Sequence, residues 1–190
     1  MREYDRIAGW YARTRSPTIG LLELDALAGE LPPGAAVLDL GCGTGVPLTQ
    51  RLVEHGFCVT ALDSSPEMVR RVRATLPGVL VRCERAEAAH FATGSFDAVV
   101  AWGVLFHLSA ADQGALIDRV ASWLRPSGQF LFTSGGTEGE RTGTMDGVAF
   151  RYVSLGVDGY RHRLERAGLR LVRHGEDAAG NAVYVAQSVA

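Results

Sequence analysis

Short apolar runs alternate with longer amphipathic segments through the middle of the chain. The apolar runs are of strand length, and several end in a charged or glycine-rich turn. They predict strands at Ala35–Leu40, Phe57–Asp63, Val79–Cys83, Phe96–Trp102 and Gln129–Thr133. The segments between them predict helices at residues 44–55, after Ser65-Pro66, after Ser109 and at residues 158–167. Strand and helix in alternation favour a parallel sheet that is covered on both faces.

The end of the pattern is different, because two strand-like runs follow each other without a helix. These runs are Leu169–Arg173 and Ala182–Ala186. Two strands joined this way pair as a hairpin, so one of them must run against the sheet. We therefore predict an α/β fold: a Rossmann-like three-layer sandwich with a seven-stranded, mostly parallel sheet, one antiparallel strand, and helices on both faces.

Two segments lie outside the alternation. Residues 1–34 precede the first strand, and residues 135–154 separate the fifth strand from the next helix. A long connection inside a compact domain usually has a function or structure of its own. Asp146-Gly147 is a strong two-residue turn signal, so the second segment predicts a small hairpin above the carboxyl edge of the sheet.

Composition narrows the classes of partner. The chain has nineteen arginines, no lysine and 21 acidic residues, so its net charge is −2. A charge this close to zero gives no support for a nucleic-acid or membrane partner. No apolar run reaches the ~18 residues that a membrane span needs. Three cysteines without a Cys-x-x-Cys pair favour reduced thiols, no metal site and a cytoplasmic location. The expected partner is a small molecule, and the protein is expected to be a monomer or a homodimer.

The strongest chemical signal is the segment Val37-Leu-Asp39-Leu-Gly41-Cys-Gly43-Thr-Gly45. Glycines between a strand and a helix let a ligand approach the backbone and the free amides of the helix. A dinucleotide fingerprint would place its third glycine at position 46, which is Val46. Asp39 suits a cationic ligand group. Asp63 ends the next strand, where a carboxylate can accept from both ribose hydroxyls or can cap the following helix.

This Asp-x-Gly-x-Gly-x-Gly pattern resembles the S-adenosylmethionine loop of the class I methyltransferases, and in particular of their small-molecule type. Three further segments resemble that family: Tyr4–Tyr11, Gly94–Asp97 and Leu124–Gly128. The resemblance implies that S-adenosyl-L-methionine is the cofactor. It implies a set of cofactor-binding residues: Tyr11, Asp39, Gly41, Cys42, Gly43, Gly45, Asp63, Ser64, Ala86, Glu87 and Trp102.

The resemblance also implies one domain over residues 1–190. Its parts would be an N-terminal lid (1–34), a cofactor-binding core (35–134), a substrate-capping hairpin (135–154) and a closing helix with a β-hairpin (155–190). One position departs from the family pattern, since Arg85 stands where many relatives carry the acid that meets adenine. Glu84 or Glu87 could take that role after a small shift.

His107 follows the fourth strand, where the methyl acceptor would approach the sulfonium. It is expected either to act as the general base, or to pack against the glycine loop or hold a backbone carbonyl. Phe106, Phe150 and Tyr152 are expected to contact the acceptor. The fourth strand is followed by none of the motifs typical of exocyclic-amine, pyrimidine or magnesium-dependent methylators. This leaves metal-free, in-line transfer to oxygen, nitrogen, sulfur or carbon of a small molecule.

Three alternatives share part of this pattern. A protein of the same fold can use the bound cofactor for a cyclisation or isomerisation without methyl transfer, because fold does not determine chemistry. A cofactor-binding module without catalysis would carry the same glycine loop. A nicotinamide oxidoreductase would share Asp63, but Val46 disfavours it.

Overall fold

The computed structural model describes residues 2–189, and the side chains of residues 3–189. The strands are β1 (Ala36–Leu40), β2 (Cys58–Asp63), β3 (Leu80–Cys83), β4 (Phe96–Ala101), β5 (Leu124–Ser134), β6 (Glu138–Met145), β7 (Val148–Leu155), β8 (Leu169–Glu176) and β9 (Ala182–Ser188). The α-helices are α1 (Arg2–Thr14), α2 (Leu21–Ala28), α3 (Leu48–Glu54), α4 (Pro66–Thr75), α5 (Ala110–Trp123) and α6 (Gly156–Arg166).

A seven-stranded sheet forms the centre of the molecule, in the order β3-β2-β1-β4-β5-β9-β8. Strands β1 to β5 pair in parallel. Strand β9 runs antiparallel to both β5 and β8 because it follows β8 without an intervening helix. The predicted fold class, including its one antiparallel strand, is confirmed. Between residues 2 and 189, no helix is long and apolar enough to cross a membrane.

Alternate residues of the central strands point into two apolar layers. Val37 packs with α2 and α3 on one face, and Leu38 packs with α5 and α6 on the other; both are fully buried. A strand that is buried on both faces must be apolar at nearly every position. This is why β1 is a continuous apolar run until Asp39.

Two predicted boundaries are wrong. Helix α3 begins at Leu48 rather than at Thr44, because Gly45 takes a left-handed conformation (φ +80°) that a helix cannot contain. The predicted start of the fifth strand at Gln129 is also wrong, since β5 begins at Leu124 and residues 126–128 lie inside it as a bulge, with Ser127 at φ +63°. The register accounts for this bulge, since Leu124 pairs with Phe96 and Gln129 pairs with Ala98.

The predicted hairpin forms as strands β6 and β7, and its turn at Asp146-Gly147 has the two positive φ angles of a type I′ turn, +47° and +72°. Helix α1 packs on it: Ile7 is buried against Val148 and Phe150. Helix α1 also meets the start of α4, where Asp5 accepts a hydrogen bond from the Ser65 hydroxyl. The N-terminal helix and the hairpin therefore form one layer beside the carboxyl edge of the sheet.

Candidate active site

The loop after β1 requires glycine at three positions. Gly41, Gly43 and Gly45 have φ angles of +79°, +56° and +80°, which other residues adopt only with strain. A Cβ atom on Gly41 would also lie 2.3 Å from Cγ2 of Val104. The loop thus exposes backbone without side chains, as a site for close approach of a ligand requires.

Asp63 links this loop to the start of α4. One carboxylate oxygen accepts from the amide of Gly43 at 2.9 Å, and the other accepts from the amide of Ser65 at 2.8 Å. A carboxylate offers about four acceptor sites, so two remain for hydroxyl groups of a ligand. Asp63 can therefore bind ribose hydroxyls and also stabilise the start of α4, because the two backbone contacts leave some of its acceptor sites unused.

Asp39 lies behind the loop and is almost fully buried. Its carboxylate accepts a 2.5 Å hydrogen bond from the Thr49 hydroxyl. Burial raises the pKa of Asp39 to about 6, and the charge of Asp63 acts in the same direction. A cation on the far side of the loop would lower this pKa and stabilise the ionised form.

Replacing Asp39 with Asn is expected to stabilise the ligand-free protein at pH 7.5. The folded pKa lies above the unfolded value of 3.8, so the wild-type protein loses stability as pH rises from about 4 through 6. A shift of this size corresponds to roughly 2–3 kcal/mol. Urea unfolding of the wild-type protein and of Asp39→Asn at pH 4 and pH 7.5 measures this difference in the free energy of unfolding. The advantage of Asp39→Asn should appear only at the higher pH; equal stabilities there would contradict the burial argument.

Two connected spaces open at the carboxyl edge of the sheet. The smaller, named here the inner cleft, has a volume of about 110 Å³ and is bounded by the glycine loop, Asp63 and the segment after β4. Its walls include eight of the residues expected at the cofactor: Tyr11, Gly41, Gly43, Asp63, Ser64, Ala86, Glu87 and Trp102. Asp39, Cys42 and Gly45 do not line it, because they lie behind the exposed edge of the loop.

Arg85 and Glu87 both lie on the wall of the inner cleft and form an ion pair at 2.5 Å. Glu84 instead pairs with Arg82 and is not part of the wall. Glu84 and Glu87 are the two candidates to replace the acid that meets adenine in many class I methyltransferases. Of the two, only Glu87 lies on the cleft wall.

The larger space, named here the outer cavity, has a volume of about 600 Å³ and lies between the hairpin and the carboxyl ends of β4 and β5. Phe106 and Tyr152, two of the residues expected to contact the acceptor, line it. Phe150 does not, because its side chain is buried in the contact between the hairpin and Ile7 of α1. Small-molecule sites commonly have volumes of this order.

His107 lies where the two spaces meet. Its Nε2 atom is 2.9 Å from the hydroxyl of Tyr4, and its Nδ1 atom is buried without a hydrogen-bond partner among the described residues. Burial lowers the pKa of His107 to about 4, an effect that the nearby backbone of Arg151 and the charge of Glu3 only partly oppose. The imidazole is therefore neutral throughout the physiological range.

Residues 37–128 match the family model of the methyltransferase domain, and this segment contains the glycine loop and most of the inner cleft. Over this segment, the chain is similar to the class I S-adenosylmethionine-dependent methyltransferases. A ubiquinone biosynthesis O-methyltransferase of Xanthomonas axonopodis pv. citri is 39% identical over 108 residues, covering 54% of this chain and 44% of that protein. The match thus spans less than half the length of this relative.

Solved structures share the fold of this chain at low sequence identity. The CcbJ methyltransferase of Streptomyces caelestis aligns over 99% of this chain and 98% of its own, with a TM-score of 0.81 and 18% identity. The [4+2]-cyclase SpnF aligns over 87% of this chain and 80% of its own, with a TM-score of 0.69 and 18% identity. The fold is common to proteins of different chemistry.

Several wall residues of the two spaces were not predicted from the sequence. Leu62, Met68, Val104 and Leu108 give the inner cleft an apolar side, and Arg15 and Ser134 line the outer cavity. Met68 is on the same helix as the predicted cap at Ser65, so helical spacing could have indicated it. Ser134 ends a parallel strand, a position where ligand contacts are common.

Proposed function

We propose that the protein transfers the methyl group of S-adenosylmethionine to a small-molecule acceptor held in the outer cavity. The observation that carries this proposal is the junction of the two spaces. Tyr4, Tyr11, Gly103 and His107 line both the inner cleft and the outer cavity. A donor group in one space and an acceptor in the other would meet there.

The residues of the inner cleft suit this cofactor. Asp63 retains acceptor sites for the ribose hydroxyls, and Glu87 offers a carboxylate where adenine would lie. Asp39 places negative charge behind the loop, which favours a cationic ammonium group in front of it. The cofactor supplies a methyl group on a sulfonium, which makes the carbon electrophilic without a metal ion.

The chain's own contribution would be positioning and proton transfer. Holding acceptor and methyl in line at near-attack distance can lower the barrier by several kcal/mol, about 7–11 in favourable cases. The aromatic walls formed by Tyr11, Phe106 and Tyr152 suit an acceptor with a flat or apolar part. His107 would receive the acceptor's proton in the course of transfer, because its buried imidazole stays unprotonated at neutral pH.

A labelled-methyl screen tests this function. The protein is incubated with metabolite extract and a donor whose methyl group carries an isotopic label, and products are found by mass spectrometry. We expect a small molecule to gain one labelled methyl group. A protein that cyclises or isomerises, as the likeness to SpnF permits, would convert its substrate without this gain in mass. Such a result would replace methyl transfer with that second function.

We also propose that residues 1–15 and 135–152 act as a lid over both spaces. Helix α1 and the hairpin are joined by the cluster of Ile7, Val148 and Phe150, and each contributes wall residues to the outer cavity. Lids of this kind exclude water and position substrates.

Amide hydrogen exchange measures the lid directly. Exchange in both segments is expected to slow when S-adenosylhomocysteine is bound, and to slow further with an acceptor present. Residues 169–173 of β8, which line neither space, serve as the internal reference. Equal exchange in the lid segments with and without ligands would contradict the proposal.

A further inference from the structure

The hydroxyl of Tyr4 stands between His107 and the space where an acceptor would bind. It lies 2.9 Å from Nε2, and the two rings meet edge to face with centroids 5.4 Å apart. Tyr4 lines both the inner cleft and the outer cavity. Since it comes from helix α1 and His107 follows β4, the fold brings them together across 103 positions.

His107 has no nitrogen left for a direct contact with an acceptor. Its Nδ1 atom is buried and makes no hydrogen bond of standard geometry within residues 2–189, although the backbone of Arg151 is close to the ring, and Nε2 faces the Tyr4 hydroxyl. The rings of Phe106, Phe150 and Tyr152 pack around the imidazole, with centroids 4.7, 5.6 and 5.3 Å away. His107 itself lines the outer cavity, but its Nε2 atom faces the Tyr4 hydroxyl, so a proton that reaches Nε2 while this contact holds arrives through Tyr4.

Tyr4 is held firmly enough to serve as such a connection. Its ring packs at 90° on Tyr11 with centroids 5.6 Å apart, and lies 5.2 Å from the ring of Phe150. Its neighbour Asp5 accepts from the Ser65 hydroxyl, which fixes this turn of α1 on α4. Burial raises the pKa of Tyr4, so the phenol keeps its proton. A protonated phenol donates to a neutral imidazole nitrogen, and its own oxygen can then accept from a third group.

We propose that Tyr4 is a catalytic residue whose hydroxyl contacts the attacking atom and relays its proton to His107. This inference rests on the proposed methyl transfer. The acceptor is accordingly a hydroxyl or an amine that carries a proton, rather than a carbon or a thioether. His107 is the positioning residue and terminal proton acceptor behind Tyr4.

The step balances within this set of groups. The acceptor's lone pair forms the new bond to the methyl carbon, and the electrons of the breaking carbon–sulfur bond remain on sulfur. The acceptor's O–H or N–H proton passes to Oη of Tyr4 while the Tyr4 proton passes to Nε2 of His107. The products are the methylated acceptor, the thioether and an imidazolium, which returns its proton through Tyr4 to solvent when the lid opens.

Single-turnover methyl transfer tests the relay, with labelled donor and the extract that supports the screen above. Tyr4→Phe keeps the ring but removes the hydroxyl, and is expected to lower the rate about a hundredfold with little change in S-adenosylhomocysteine affinity. The double variant Tyr4→Phe/His107→Gln should be no slower than the slower single variant, since both act in one unit. His55→Gln is the control, because His55 pairs with Asp25 outside both spaces and outside the lid segments, and it should retain the wild-type rate.

A rate for Tyr4→Phe within a few-fold of wild type would overturn the relay, as would independent, multiplying losses in the double variant. Each of these results would show His107 acting without Tyr4, after that contact breaks.

A second measurement needs no acceptor and separates failure of the relay from failure of the proposed function. ¹⁵N NMR of the histidines in the complex with S-adenosylhomocysteine reports which nitrogen of His107 is protonated. We expect the Nδ1–H form, with an Nε2 signal that shifts in Tyr4→Phe. An Nε2–H form would mean that the imidazole donates to Tyr4, which overturns the relay even if methyl transfer is found. If His107 shows the expected Nδ1–H form but no extract supports methyl transfer, the proposed function is overturned, and the relay with it.

Discussion

Gly43→Val is expected to abolish binding of S-adenosylmethionine and of S-adenosylhomocysteine. Gly43 sits at φ +56° at the edge of the inner cleft, and its amide donates to Asp63. A Cβ atom there would already lie 3.5 Å from the ring of Tyr11, so the two methyl groups of valine would enter the gap between loop and lid. Calorimetric titration should show at least a hundredfold loss of affinity, about 3 kcal/mol.

Gly56→Val is the matched control, because Gly56 has φ +78° but nothing within 4 Å of its Cβ position and lies outside both spaces. Both variants carry the backbone strain of a β-branched residue in the left-handed region, of the order of 1–2 kcal/mol. Only Gly43→Val should lose the ligand. Equal affinities in the two variants would place the cofactor elsewhere, and tight binding of a nicotinamide dinucleotide by the wild-type protein would contradict the family assignment of the cleft.

His107→Ala is expected to lower turnover about a hundredfold to ten-thousandfold while cofactor affinity changes little. The variant removes the only imidazole at the junction of the two spaces in the described part of the chain. His107→Gln can still hydrogen-bond to Tyr4 but cannot take up a proton, so it should be nearly as slow as His107→Ala.

The pH dependence of the wild-type rate gives a second check on the same residue. The pKa of His107 is lowered to about 4, so the neutral form persists as pH falls from 8 to 5 and is lost only as pH passes below about 4. We expect a rate that varies little with this group between pH 5 and 8. A rate within a few-fold of wild type for His107→Ala would show that the histidine is structural and that proximity alone drives transfer.

The fold could be predicted from the sequence because its signals are local. Strands buried on both faces are continuous apolar runs, and Ser65 and Ser109 are N-caps that accept from the amide three residues on. The hairpin turn at Asp146-Gly147 is equally local. The bulge in β5 could not be predicted, because the residues that define it pair with β4 rather than with their own neighbours.

In the candidate site, too, the sequence predicts the local features but not the contacts that depend on tertiary packing. Glycine spacing predicts the loop, since each positive φ angle constrains its own residue. It does not reveal that Asp39 turns behind the loop towards Thr49, ten residues later, rather than into the cleft. Phe150 and Tyr152 are two positions apart on β7, so strand alternation puts both on one face of the hairpin, but only the packing of α1 makes Phe150 a core residue and leaves Tyr152 on the cavity wall. The Tyr4–His107 contact depends on that same packing.

A crystal structure of the protein with S-adenosylhomocysteine tests the central claim most directly. The account predicts the ribose on Asp63, the adenine beside Glu87, and the thioether sulfur at the junction of the two spaces, next to Gly103 and His107 and open to the outer cavity. A ligand bound outside the inner cleft, or one whose sulfur points away from the outer cavity, would contradict the proposal that the two spaces form one methyl-transfer site.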